Sequence, residues 1–122
     1  MSHAKNLSQR YSILTLVTLL CLPSFALADV VTDWNEIAAT LAVPARAPAP
    51  TSVLDLATVH VAMHDAIQAY EGRFESYAAT VANPSGSKVA AAATAAHDVL
   101  VNHFPAQQVF LDTKLSNYLN GL

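Results

Sequence analysis

Around Met63 the chain has its most sustained apolar pattern. On a wheel of 3.6 residues per turn, Leu56, Val59, Met63, Ala66, Ile67 and Tyr70 share one face, while Leu54, Ala57, Val61 and Ala62 leave the others nearly as apolar. This pattern predicts a central helix enclosed on several sides, with Met63 among its most buried side chains. Ser52, with Asp55 at the third helical position, opens that helix, and Gly72 closes it.

Asp33 is placed to cap a short first helix over residues 34–41, with Glu36 reaching back in a capping-box arrangement. Residues 43–50 hold prolines 44, 48 and 50, which remove amide donors and drive each preceding residue out of the α region, so an extended connector is expected. Residues 73–86 show no sustained period, and Asn83-Pro84-Ser85-Gly86 is turn chemistry. From Ser87 a helical stripe returns at Val89, Ala92, Ala93, Ala96, Val99, Leu100, His103 and Phe104, with Thr94, Asp98 and Asn102 opposite. Pro105 ends that helix and suits the first turn of another, over about residues 106–119, which presents Leu111, Leu115, Tyr118 and Leu119 on one side. The expected fold is an all-α small bundle of about four helices, without repeats or strands.

Residues 1–28 read differently. Lys5 and Arg10 precede an uncharged apolar run over residues 11–22, and Ala26-Leu27-Ala28 has the small-x-small pattern that signal peptidase reads. A secretory signal peptide cleaved after Ala28 is expected, since roughly 12 apolar residues are too few for a ~30 Å hydrocarbon core. The domain is then 29–122, secreted or periplasmic and without a stable membrane anchor. Cleavage removes Cys21, the single cysteine, so no disulfide is expected. The net charge of −3 comes without a basic run or basic-aromatic interleaving, which speaks against nucleic acid as a partner.

The candidate chemistry lies on the central helix. His60 and His64 are four residues apart and Glu71 continues their line, so a His-His-carboxylate metal site is conceivable. The zinc-protease motif needs a glutamate directly after its first histidine, where this chain has Val61. Packed or hydrogen-bonded histidines are the favoured reading, with no metal. Asp65 sits mid-helix among Val61, Ala62, Ala66 and Ala69, and a buried carboxylate needs a partner. Arg46, Arg73, the Trp34 indole or an amide of the proline-rich connector could supply it, and docking a neighbouring segment is the preferred role. His97 and His103 are read as core-edge residues. Met63 and Trp34 are read as structural. No catalytic nucleophile or phosphate-binding loop stands in a recognisable setting.

The segments Asp33-Trp34-Asn35-Glu36-Ile37-Ala38, the proline-rich connector, Val59-His60-Val61-Ala62-Met63-His64-Asp65-Ala66-Ile67, and the stretch from Ala90 through Phe104-Pro105-Ala106-Gln107 resemble the N-terminal part of exported bacterial relatives of the vanadium-dependent haloperoxidases. That family is similar to the type-2 phosphatidic acid phosphatases (PAP2). The resemblance implies an all-α fold whose later helices hold vanadate, or phosphate in the phosphatases. The family's three catalytic motifs are a lysine followed after six residues by Arg-Pro, then Pro-Ser-Gly-His, then Ser-Arg with a histidine and an aspartate behind it. Neither Lys88 nor Lys114 leads to Arg-Pro, neither Arg46 nor Arg73 follows a serine, and Ser87 stands where Pro84-Ser85-Gly86 would need a histidine. No catalytic residue and no cofactor is therefore carried over. The expected function is an exported helical scaffold, inactive alone, completed by a missing C-terminal helical portion or by self-association. The alternative is a non-enzymatic exported module that binds a partner or a metal through its histidine face.

Overall fold

The computed structural model describes the backbone of residues 29–45 and 49–122. Four helices follow in order: α1 (Val30–Ala45), α2 (Ala49–Glu71), α3 (Lys88–His103) and, after a 3-10 turn at Pro105–Gln107, α4 (Gln108–Asn120). Strands are absent among the described residues, so the small all-α bundle expected from the pattern is the fold. The long α2 packs most extensively on α3, α1 lies against both, and the α4 backbone packs on α3 and the 3-10 turn.

Trp34, Val59, Met63, Leu100 and Leu111 are the largest fully buried side chains, one or two from each helix. Ala92, Ala93 and Ala96 are also buried. Their small side chains let the α3 backbone approach the bulkier Val59 and Met63, which offsets the little area each alanine contributes. Thr94, Asp98 and Asn102 face solvent on the opposite side of α3.

The two proline-flanked helices are longer than the pattern predicts. α1 starts at Val30, with the Asp33 amide donating to the Asp29 carbonyl at 3.0 Å, so Asp33 lies in the first turn rather than at the cap. There its carboxylate still faces the positive end of the helix dipole. α1 also runs past Pro44, and α2 begins before Pro50, so residues 43–45 and 49–50 of the expected connector are helical, while residues 46–48 lie outside the described ones. Pro50 stands in the first turn of α2, where a missing amide costs no intrahelical bond. Ser52 and Asp55 consequently lie inside the helix, and both are buried.

The other boundaries follow their caps. Gly72 adopts φ +59° and its amide returns to the Gln68 carbonyl at 2.8 Å, closing α2. The Ser87 hydroxyl accepts from the Ala90 amide at the start of α3. α2 is enclosed on several sides over residues 61–70, none of which is exposed, but nearer its start Val53 and Leu54 are 63% and 67% exposed, where no described element covers them. On α4, Leu111 is buried, Leu115 and Tyr118 are half-buried, and Leu119 turns outward, contrary to the single-stripe reading. None of the described helices is long and apolar enough to cross a membrane. The signal-peptide reading falls on residues outside the described ones.

Candidate functional site

Four polar side chains of α2, His64, Asp65, Gln68 and Tyr70, converge on the loop of residues 72–87. Asp65 is buried, and its carboxylate accepts three consecutive backbone amides: Tyr77 on Oδ1 at 2.7 Å, then Ala78 and Ala79 on Oδ2 at 2.8 and 2.9 Å. Burial works against ionisation, but the amides of Ala79, Tyr77 and Ala78, with the nearby His64, outweigh it and hold the carboxyl below its ordinary 3.8. One turn along, buried Gln68 repeats the device, its Oε1 accepting the amides of Arg73 at 3.1 Å and Phe74 at 2.9 Å. The Tyr70 hydroxyl donates to the Ser85 carbonyl at 2.8 Å and ties down the far end of the loop. An irregular segment has no ladder of its own, so these side chains replace the missing backbone partners.

The histidines on this helix point to different neighbours. His60 Nε2 meets Asn35 Oδ1 at 2.9 Å and links α2 to α1. His64 Nε2 donates to the Glu75 carbonyl at 3.2 Å, and its ring stands edge-on to Tyr77 with centroids 5.1 Å apart. Glu71 pairs instead with Lys88 at the start of α3; that hydrogen bond and charge, followed by Arg73, lower its pKa. His60, His64 and Glu71 are therefore not brought together, and no group of three or more His, Cys, Asp or Glu among the described residues could hold a metal ion.

The partners of Asp65 differ from those the sequence nominated. Arg73 lies 5.7 Å over the Phe74 ring, the buried Trp34 Nε1 has no hydrogen-bond partner, and Arg46 lies outside the described residues. The amides that satisfy Asp65 belong to the loop after α2 rather than to the proline-rich connector. Gln68 was missed by the sequence reading. Its signal is its place three residues after Asp65, which puts a second polar group on nearly the same helix face.

Two further polar joints lie across α3. His97 Nδ1 is 2.8 Å from Asp98 Oδ1 and its Nε2 is 2.8 Å from Asp112 Oδ1 on α4. Burial disfavours its protonation, but hydrogen bonds and charge from Asp98 and Asp112 prevail and raise its pKa above 6.5. His103 Nδ1 lies 2.9 Å from Oδ1 of the buried Asp55, joining α3 to α2.

Beside the pinned loop runs an apolar groove of about 410 Å³, lined chiefly by Val61, Ala62, Ala66, Val81, Ala95 and Val99. A second, more open groove of about 430 Å³ runs along Val31, His60, Met63, His64 and Tyr77. Neither contains a catalytic pair or a cluster of cations.

Comparisons with protein-family models, curated proteins and solved structures found no match for this chain.

Proposed function

We propose that this chain is an exported, non-catalytic helical scaffold, the N-terminal part of a vanadium haloperoxidase- or PAP2 phosphatase-like protein. The observation that carries the reading is the use made of the polar and core residues of the His60–Ile67 run, the most specific element of the resemblance. His60 binds α1, Met63 fills the core, and His64 and Asp65 hold the loop that follows α2. Its chemistry-bearing groups are spent on folding.

The basic residues support the same reading. An oxyanion carrying several charges needs convergent cations and amide donors, with an imidazole to coordinate vanadium or attack phosphorus. Among the described residues Arg73 lies over Phe74, Lys88 pairs with Glu71, and Lys114 lies 5.4 Å over the Phe110 ring, each at a different place. These residues do not fit vanadate or phosphate. The exposed Val53 and Leu54 and the apolar groove between α2, α3 and the pinned loop suit a scaffold on which further helices rest.

Calorimetric titration of the purified chain with vanadate, alongside halide oxidation with peroxide and phosphate-ester hydrolysis, tests this reading. No binding in the micromolar range and no turnover are expected. Stoichiometric micromolar binding with turnover would overturn it.

A further inference from the structure

The hold of α4 on the rest of the fold depends on an unusual arrangement at His97. Both ring nitrogens stand 2.8 Å from a carboxylate oxygen, Nδ1 from Asp98 and Nε2 from Asp112. A neutral imidazole has one N–H and can donate to only one of them, whereas the imidazolium donates to both. Asp98 is the neighbouring residue on α3, so its contact joins nothing distant. Asp112 is on α4, and its contact spans the helix pair.

The rest of α4's hold is apolar, with Leu115 and Tyr118 half-buried against the core. Its backbone packs on α3 and the 3-10 turn, and Leu111 is its one buried side chain. Towards α1 it reaches through Tyr118, whose ring stands 6.4 Å from Trp34. Trp34 also meets the His97 ring edge-on at 6.4 Å, so one indole touches both sides of the joint.

We propose that α4 is a pH-sensitive latch on α3, closed while His97 is an imidazolium shared between Asp98 and Asp112 and loosened when the ring loses one proton. On deprotonation the two carboxylates compete for a single N–H, and the positive charge that draws Asp112 of α4 to the ring is lost whichever of them keeps it. The charged groups acting on the ring are Asp98 from α3 and Asp112 from α4, while α1 presents the uncharged Trp34 and α2 contributes none. Asp29 and Asp33, at the start of α1, act on Tyr118 instead. Because the folded state raises the pKa of His97, the stabilisation is complete below the ordinary 6.5 and fades as pH climbs through the raised value. Opening uncovers an apolar strip formed by Leu111, Leu115 and Tyr118 on α4 and by Trp34 and Leu100 beneath it.

Trp34 is the only tryptophan in the chain, which makes its emission a direct probe of the joint. The experiment follows Trp34 fluorescence from about pH 5.5 to about pH 8.5, the range in which histidine titrates, together with hydrogen exchange of the α4 amides corrected for intrinsic rates. The latch predicts a red shift with a midpoint above 6.5 and a loss of α4 protection of about tenfold or more, with α2 and α3 unchanged. Asp112→Asn, at a half-exposed position that tolerates the change, should lower the midpoint, and His97→Gln should abolish the pH dependence. Equal α4 protection at both ends of the range overturns the proposal. So does an unshifted transition in Asp112→Asn, which decides the matter even if His97→Gln fails to fold.

Discussion

Asp65 and Met63 are neighbours on one helix whose energetics have opposite origins. The Asp65 carboxylate is buried and stays ionised because three amides converge on it, and among the described residues it is the partner that satisfies those amides. Asp65→Asn keeps the shape but turns an NH2 group towards at least one of these donors, so two donors face each other. A loss of about 1 to 3 kcal/mol is expected in chemical unfolding, the range for leaving a buried donor unsatisfied. The depressed pKa makes the same contact acid-labile: its contribution is complete above the ordinary 3.8 and falls away as pH drops through the lower folded value. The acid limb of the stability curve should flatten in Asp65→Asn. Met63, by contrast, is 1% exposed and has no polar role. Met63→Ala should cost on the order of 2 to 5 kcal/mol through lost transfer energy and a residual cavity, read as a lower denaturant midpoint at unchanged slope. A cost below about 0.5 kcal/mol, typical of surface sites, would show that α2 faces another way.

At the scale of the element, Gly72 carries the turn from α2 into the loop. Its φ of +59° is in the left-handed region, and an added Cβ would meet nothing within 4 Å, so backbone conformation rather than crowding sets the cost of replacing it. Gly72→Ala should lower stability by about 1 kcal/mol, and an unchanged melting curve would contradict that cap. Elements bounded by such local chemistry were legible in the sequence: Gly72, Ser87 and Pro105 each mark an end that the structure keeps. The end of α1 and the start of α2 differ from the pattern because each holds a proline that reads as a breaker, although a first turn accepts it readily, and the start of α1 differs because Asp33 suits a first turn as well as a cap. The candidate site was legible only in part. That Asp65 is buried follows from its apolar neighbours, but its partners 12 to 14 residues away lie in an aperiodic loop that no spacing rule reaches. Likewise, the pairings His103–Asp55 and His97–Asp112 arise from how helices pack, which a single helical wheel does not encode.

Across the whole molecule, the buried face of α2 organises a core shared by all four helices, while its outer face and the adjoining groove stay apolar and open. The polar groups of the His60–Asp65 run serve that arrangement: His60 ties α2 to α1, while His64 and Asp65 set the loop of residues 72–87 against α2, and the loop forms one wall of the groove. Hydrogen exchange at the amides of Tyr77, Ala78 and Ala79 measures this role most directly, since amides in an aperiodic loop exchange rapidly unless a partner holds them. Strong protection of these three amides in the native chain is predicted, with its selective loss in Asp65→Asn while the core of α3 stays protected. Exchange of the three at free-peptide rates in the native chain would contradict the structural role assigned to Asp65 and return the His60–Asp65 run to candidacy as a ligand site.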